Sequence, residues 1–440
     1  MKKHIAIIGG GISGLAVLHY LVQKYIQQPD VTIALYEKNN FVGGTIRSID
    51  DDHGLIETGP NGFLNNNPYT LDFINELELT PHLIEAASQS SVRFIARANT
   101  LHEVPTSPKK FLSTKLLNVF QKFRLLGDFV IPKTSDSVIS VYTFFRRRFG
   151  KRVADIFVDP MVSGIYAGDA KQICMRAAFP KIYDLEQMHG SMIRGMMKQK
   201  GKTNLGMLMS FKGGMQQLID ALYNRYKAHI FTNTQVLGVN KRDDSFSLQL
   251  ETQTIDAQEV FLCAPAYHAA TLVERWDQQF AAYLKEIHYA PVAVVGLTYL
   301  ADAATLSNGF GYLIPSSEDN PVLGVLFESN IFKRSSNSIL LRVMMGGVHH
   351  PKCLEQSDGH LIQVALLELR ATLKITSEQY KAMVIRWPRA IPQYDRHYLA
   401  AKEKIETHIT RYPQFHLAAN YLNGVSVNDC IENAYKAVNK

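Results

Sequence analysis

The stretch HIAIIGGGISGLAVLHYLVQKY, residues 4–25, constrains the fold more than any other part of the chain. An apolar, β-branched run stops at three glycines, and a helix-forming run follows at once. A strand buried on both faces reads as such a run. Strand, glycine turn and helix in that order open a doubly wound sheet. Gly9, Gly11 and Gly14 fill the frame G-x-G-x-x-G. The first allows the tight turn, the second lets backbone approach a pyrophosphate, and the third packs the helix on the sheet. Gly10, Ile12 and Ser13 complete the turn, and free N–H groups at the helix start attract phosphate. VTIALYEK (31–38) reads as the second strand. It ends in Glu37 and Lys38, where a carboxylate takes ribose hydroxyls.

This frame alone serves NAD and FAD alike. NNFVGGTIRS (39–48) then brings Gly43, Gly44 and Thr45, and GLIETGPNGFL (54–64) brings Gly59, Pro60, Asn61 and Gly62. A plain NAD domain would continue through further strand–helix units. Two more glycine turns suit an extended ligand, although either alone would pass for a hairpin loop. The pattern resembles the large FAD-dependent oxidoreductase superfamily that includes the monoamine oxidases. Further segments fit it: MSFKGGMQQLIDALYNRY (209–226) is a glycine turn feeding a helix, and EVFLCAPAYHAA (259–270) a buried strand. In HIFTNTQVLGVNKR (229–242) the resemblance puts the Val236 backbone against the adenine.

The expected fold class is therefore α/β. A Rossmann-like FAD-binding domain would gather discontinuous segments at 1–83, 211–287 and 388–440. A mixed-sheet substrate domain would comprise 84–104, 177–210 and 288–387, and a helical subdomain 105–176. Near the end, NYLNGVSVNDCIENA (420–434) predicts a turn at Gly424 and a helix capped by Asn428 or Asp429. The resemblance implies that Val425, Ser426 and Val427 run along the flavin ring. It also implies that the helix N-terminus aims at the pyrimidine edge. Residues 420–429 contain neither Cys nor His, so FAD is expected to be held non-covalently.

At 440 residues the chain is too long for one core. Hydrophobic residues make up 46% and charged residues 20%, which excludes a disordered chain. The longest apolar run, near 289–300, is too short to span a bilayer. The first residues resemble a signal peptide slightly, but three glycines and the lack of a cleavage site favour mature sequence. Four scattered cysteines suggest a reducing compartment. No cluster has metal-ligand spacing, and His349-His350 reads as a solvated loop. The net charge of +7 suits an anionic partner, while no basic tail or nucleic-acid module is present.

VDPMVSGIYAGDA (158–170), SFKGGMQQL (210–218), RWPRAIPQYD (386–395) and GVSVNDCIENA (424–434) together resemble the porphyrinogen oxidases of haem synthesis. The resemblance runs from residue 4 to about 438. It implies FAD-dependent, six-electron oxidation of protoporphyrinogen IX to protoporphyrin IX, with coproporphyrinogen III to coproporphyrin III as the second choice. Oxygen is the implied acceptor, and a quinone stays open. No nucleophile elbow or carboxylate pair is present, so the flavin would carry the chemistry and no side chain is assigned as catalytic. Nothing singles out a base for tautomerisation.

The resemblance places Val292, Leu306 and Phe327 along an apolar slot for the macrocycle. Arg93 would sit at its mouth for a propionate, with Arg97 as the other choice. Trp387 would lie beside the flavin. The competing readings are an amine oxidase, a carotenoid desaturase, and a flavin or porphyrin carrier without turnover.

KKFLSTKLLNVFQKFRLLGDFV (109–130) places Leu112, Leu116, Val119, Phe123 and Leu126 on one helical face, ringed by Lys109, Lys110, Lys115, Lys122 and Arg124. Such a helix packs on its own domain or lies on an anionic bilayer. The resemblance favours membrane contact. The matching expectation is a cytoplasmic protein, peripheral on the inner face of the cell membrane, with room for handover to a ferrochelatase and for a homodimer.

Overall fold

The computed structural model describes residues 3–51, 54–199, 206–304, 306–334 and 337–440. The opening strand, Lys3–Ile8, lies at the centre of a five-stranded sheet. Its order is Ile230–Phe231, Val31–Tyr36, Lys3–Ile8, Glu259–Leu262 and Phe415–Leu417, all parallel. Side chains alternate across a strand, so Ile5 and Ile7 enter one core while Ala6 and Ile8 enter another. Helices Ile12–Lys24, Gln216–Tyr226 and Val427–Val438 cover the first face. A small antiparallel sheet covers the second through Val239, Phe246 and Leu248.

A seven-stranded sheet forms the second layer system. It runs Tyr380–Pro392, Tyr289–Leu300, Ser338–Gly346, Val322–Phe327, Gly311–Leu313, Phe94–Arg97 and Thr100–Glu103. All neighbours are antiparallel except Gly311–Leu313 beside Phe94–Arg97. Ala293, Val295 and Leu297 pack toward helix Asp358–Leu373 through Leu361, Ala365 and Leu369. Val292 and Val294 face the other way, with Leu323, Met344 and Ile385. Helix Asp159–Tyr166 roofs this second face: the Leu313 side chain fills the space beside Gly164, and Val348 N–H donates to the Ala167 carbonyl at 2.9 Å. The fold is thus α/β, with a parallel sheet and a mixed sheet.

The predicted helix over 109–130 is broken into three pieces, Pro108–Ser113, Val119–Phe123 and a 3₁₀ turn at Arg124–Phe129. Thr114 is extended, and Asn118 restarts the helix with a capping box to Gln121. Leu116 is buried, whereas Leu112, Val119, Phe123 and Leu126 stand in solvent with Phe120 and Val130. They do not share one helical face.

Arg148 anchors this region from beneath, with a side chain wholly out of solvent. Its Nε donates to Glu186 at 2.6 Å, Nη1 pairs with Asp128, and Nη2 donates to the Gly190 carbonyl at 3.1 Å. Burial would raise the Asp128 carboxyl, but hydrogen bonds from Ser191 and Ile193 and the Arg148 charge hold it below the usual range. Removing one partner of a buried ion pair leaves the other uncompensated, at about 3–5 kcal/mol. Arg148→Ala should therefore lower the thermal midpoint by several degrees, whereas Arg146→Ala should change it little. Calorimetry of the two variants checks this, and an unchanged midpoint for Arg148→Ala would show that water replaces the guanidinium.

Candidate active site

The glycine turn after Lys3–Ile8 is held by backbone and by one carboxylate. Gly9 N–H donates to the Tyr36 carbonyl at 2.9 Å. A Cβ at Gly14 would overlap the Gly9 carbonyl oxygen, so this close approach admits no side chain. Glu37 is buried, and its Oε2 accepts Gly10 N–H at 2.7 Å. Its Oε1 accepts the Asn39 backbone at 2.9 Å and the Asn39 amide at 2.7 Å. The carboxylate expected at the ribose thus also braces the turn. Gly43 N–H donates to the Gly10 carbonyl at 2.7 Å, pinning the second glycine turn on the first and placing Gly44 against Gly11. Thr45 and Lys38 are exposed at its rim. Thr234 N–H donates to the Glu37 carbonyl at 2.8 Å and brings buried Val236 to this end.

The segment 58–64 is gripped from three directions. Trp387 Nε1 donates to the Thr58 carbonyl at 2.9 Å. Arg342 Nη1 donates to the Glu57 and Gly59 carbonyls at 2.8 and 2.9 Å. Asn428 Nδ2 donates to the Leu64 carbonyl at 2.9 Å. Pro60, Asn61 and Gly62 are half-buried between these anchors. Burial pushes the Glu57 carboxyl up, opposed by bonds from Ser48 and Met215. Arg342 pairs with buried Glu328 at 3.3 Å.

The last segment caps differently from expectation. Ser426, not Asn428 or Asp429, is the N-cap of helix Val427–Val438, and Asp429 closes a capping box on it. A hydroxyl there accepts the Asp429 N–H at 3.2 Å, which places the helix start nearer Gly424 than expected. Gly424 has φ +121°, which a side chain rarely adopts. Val425 is half-buried and Val427 buried.

Two expected slot residues are corrected. Phe327 is fully buried on the face toward helix Asp358–Leu373, edge-on to Tyr312 at 6.1 Å. Half-buried Leu306 packs against that same core. Both lie behind the sheet from Val292: alternation turns Phe327 to that side, and Leu306 reaches it from the loop before Gly311–Leu313. The face shared with Val292 instead carries Met344, Arg342 and Leu323, which sequence reading missed. Only strand register reveals them. Arg93 is exposed one residue before the strand Phe94–Arg97, its guanidinium 5.1 Å from the Phe310 ring centre. Arg97 pairs with Glu318 at 3.4 Å.

Residues 12–440 match the family model described as flavin containing amine oxidoreductase. The chain belongs to this family. It is an FAD-dependent oxidoreductase. It is 30% identical to the coproporphyrinogen III oxidase of Bacillus subtilis (strain 168), over 99% of this chain and 97% of that one. It is 28% identical to protoporphyrinogen oxidase 1, chloroplastic, of Arabidopsis thaliana, over 98% and 86%. A solved chain from Exiguobacterium sp. 255-15, 23% identical, superposes with TM-score 0.86 over 100% of this chain and 98% of that one, and shares the fold.

The residues present fit FAD. Among the described residues, Gly11 and its chain neighbours apart, no atom lies within 4 Å of where a Gly11 Cβ would stand, so the turn leaves a cradle beside the helix start. Two buried polar atoms, Asn61 Nδ2 and Asn428 Oδ1, find no partner among the described residues, and Asn428 is bonded to the strand that follows the Asn61 turn. The glycine turns would hold the pyrophosphate, and the 58–64 and 425–427 segments the flavin end. Gly11→Ala should leave the urea midpoint of the FAD-free chain unchanged while weakening FAD binding at least about tenfold, because its Cβ occupies only ligand space. Glu37→Ala should weaken FAD on the order of tenfold and also lower the midpoint, since it removes charge-assisted bonds of about 1.5–3 kcal/mol. Fluorescence titration with FAD separates the two; unchanged affinity for Gly11→Ala would move the pyrophosphate elsewhere.

Proposed function

We propose that the chain oxidises a porphyrinogen to a porphyrin, with protoporphyrinogen IX as substrate and dioxygen as acceptor. The carrying observation is the apolar sheet face of Val292, Val294, Leu323, Met344 and Ile385, roofed by helix Asp159–Tyr166, with Arg342 turned to the 57–59 carbonyls and a further set of arginines toward the far edge. Trp387 pairs in register with Val292 at the flavin side. Four strand steps separate Tyr289–Leu300 from Phe94–Arg97, roughly 19 Å at the usual spacing. That span accommodates a flat macrocycle with its charged groups at the far edge. There Arg93 is joined by Arg97 and Arg152; burial and the Arg97 charge both depress the Arg152 guanidinium. Protoporphyrinogen IX carries two neighbouring propionates, which suits cations on one edge. FAD when bound takes up the hydrides, and the balance is one porphyrinogen and three O₂ to one porphyrin and three H₂O₂. The chain's part is to bury the ring, turn it by its carboxylates and keep water from the flavin end.

Coproporphyrinogen III is the second reading, favoured by the likeness to coproporphyrinogen III oxidases of Bacillus subtilis (strain 168) and Staphylococcus aureus (strain NCTC 8325 / PS 47). Initial rates of red porphyrin fluorescence with each porphyrinogen decide between them. Protoporphyrinogen should give the larger kcat/KM; peroxide from amines without porphyrin would overturn both. Arg93→Ala should keep the flavin spectrum and lower kcat/KM at least about tenfold, with Arg93→Lys restoring only part, because a point charge lacks the bidentate fork.

The exposed cluster Leu112, Phe120, Phe123 and Val130 supports contact with an anionic membrane surface on the cytoplasmic side. Phe120 and Val130 are 85% and 82% exposed, and Lys109, Lys115, Lys122 and Arg124 stand around them. Large exposed apolar patches mark interaction sites, and basic neighbours add salt-sensitive attraction to anionic lipid. Among the described residues no helix is long and apolar enough to cross a membrane. Co-sedimentation with anionic vesicles should fall with added salt and be abolished by Phe120→Ser with Phe123→Ser. Equal pelleting of wild type and variant would assign the patch another role.

A further inference from the structure

Tyr394 stands where three parts of the molecule meet, and none of the site roles above uses it. It follows the strand Tyr380–Pro392 and is fully buried. Its hydroxyl donates to the Asn420 carbonyl at 2.6 Å and accepts Gly424 N–H at 2.8 Å. One phenol oxygen therefore closes the turn that leads into Val425, Ser426 and Val427. The neighbouring Tyr398 stacks on it, ring centres 4.0 Å apart and planes 13° apart, and donates to the Leu422 carbonyl. The Tyr394 carbonyl accepts Cys174 N–H at 2.8 Å, and its ring lies 5.8 Å from Tyr166, the last residue of the roof helix. The adjacent Gln393 donates to the Tyr166 carbonyl at 2.8 Å.

We propose that Tyr394 is a positioning residue that locks the 420–427 turn against the flavin and ties its height to that of the helix roofing the substrate face. This rests on the reading that Val425, Ser426 and Val427 lie along the flavin. The geometry explains why a hydroxyl is needed. Gly424 has a positive φ and a side chain there would strike Asp429, so only glycine fits the turn. Its N–H then points inward, away from the helix it precedes, and has to be met by an acceptor inside the protein. A phenol supplies one acceptor and one donor in a single atom, so it satisfies Gly424 and Asn420 at once. The stacked Tyr398 ring and the Tyr166 ring leave it little freedom to turn. Without the hydroxyl the half-buried Gly424 N–H loses its partner, and the turn must move to find another.

The test follows FAD release from the full-length holoenzyme on dilution, read by recovery of flavin fluorescence, beside the visible spectrum of the bound flavin and the urea midpoint. Tyr394→Phe keeps the ring and removes only the oxygen. It should speed FAD release on the order of tenfold and alter the flavin absorption envelope. Tyr312→Phe is the control: it removes an equally buried hydroxyl, bonded to Glu368 at 3.0 Å on the far side of the sheet, and should lower the urea midpoint without changing FAD release. Equal release from Tyr394→Phe and wild type would overturn the proposal. So would faster release from both Phe variants in proportion to their lost stability, which is the mark of a merely structural tyrosine. Val425→Phe separates failure of the proposal from failure of the reading beneath it. If Val425→Phe perturbs the flavin and Tyr394→Phe does not, the turn faces the flavin and only the Tyr394 assignment falls. If neither does, the segment does not lie along the flavin and both fall.

Discussion

The backbone carbonyls of residues 57–64 are the point on which the site depends. Arg342, Trp387 and Asn428 each donate to one or more of them. The first two side chains belong to the mixed sheet and the third to the terminal helix. A loop of this kind has few partners of its own, and its buried carbonyls must be paired. Here the pairing is done by other elements, so the loop ties the mixed sheet to the terminal helix that covers the parallel one. The charge cluster beneath serves the same end. Glu57 accepts Ser48 Oγ at 2.7 Å and Met215 N–H at 2.9 Å, while Glu328 faces Arg342. Such groups stay buried only when their partners are held in place.

Side-chain alternation then decides which residues share a sheet face with Val292. One strand, Tyr289–Leu300, sends Ala293, Val295 and Leu297 into a sealed core and Val292 and Val294 toward the roof helix. The same rule puts Phe327 on the opposite face from Met344, since a shift of one residue moves a side chain through the sheet. The helical region adds an arrangement of opposite character: a buried ionic network of Arg148, Asp128 and Glu186 lies under a surface of exposed Phe, Leu and Val.

Much of the fold was legible from local pattern. The glycine frame at 9–14, the acidic end of the second strand and the helix after Gly213-Gly214 depend on neighbours within a few residues, and the structure has a strand, turn or helix at each. The region 109–130 was misread as one helix because hydrophobic periodicity outweighed Thr114 and Asn118, whose side chains compete for backbone N–H groups and end or restart a helix. The cap at Ser426 was missed for a related reason: Ser, Asn and Asp stand together there, and which one caps depends on where Gly424 directs the chain.

The sequence by itself determined that a parallel sheet carries a glycine turn able to approach a pyrophosphate, and that membership of a flavoenzyme family follows from motifs spread along the whole chain. Those features rest on short-range sterics: Gly14 must be small because Gly9 is near it in the chain and in space. The tertiary structure alone decided that Arg342 and Asn428 hold the 57–64 loop, that Met344 rather than Phe327 shares a sheet face with Val292, and that Tyr394 closes the final turn. Each joins positions 26 to 364 residues apart, and strand register and helix docking set such contacts. Periodicity fixes only that a residue points to one face or the other; packing of the whole chain fixes what waits for it there.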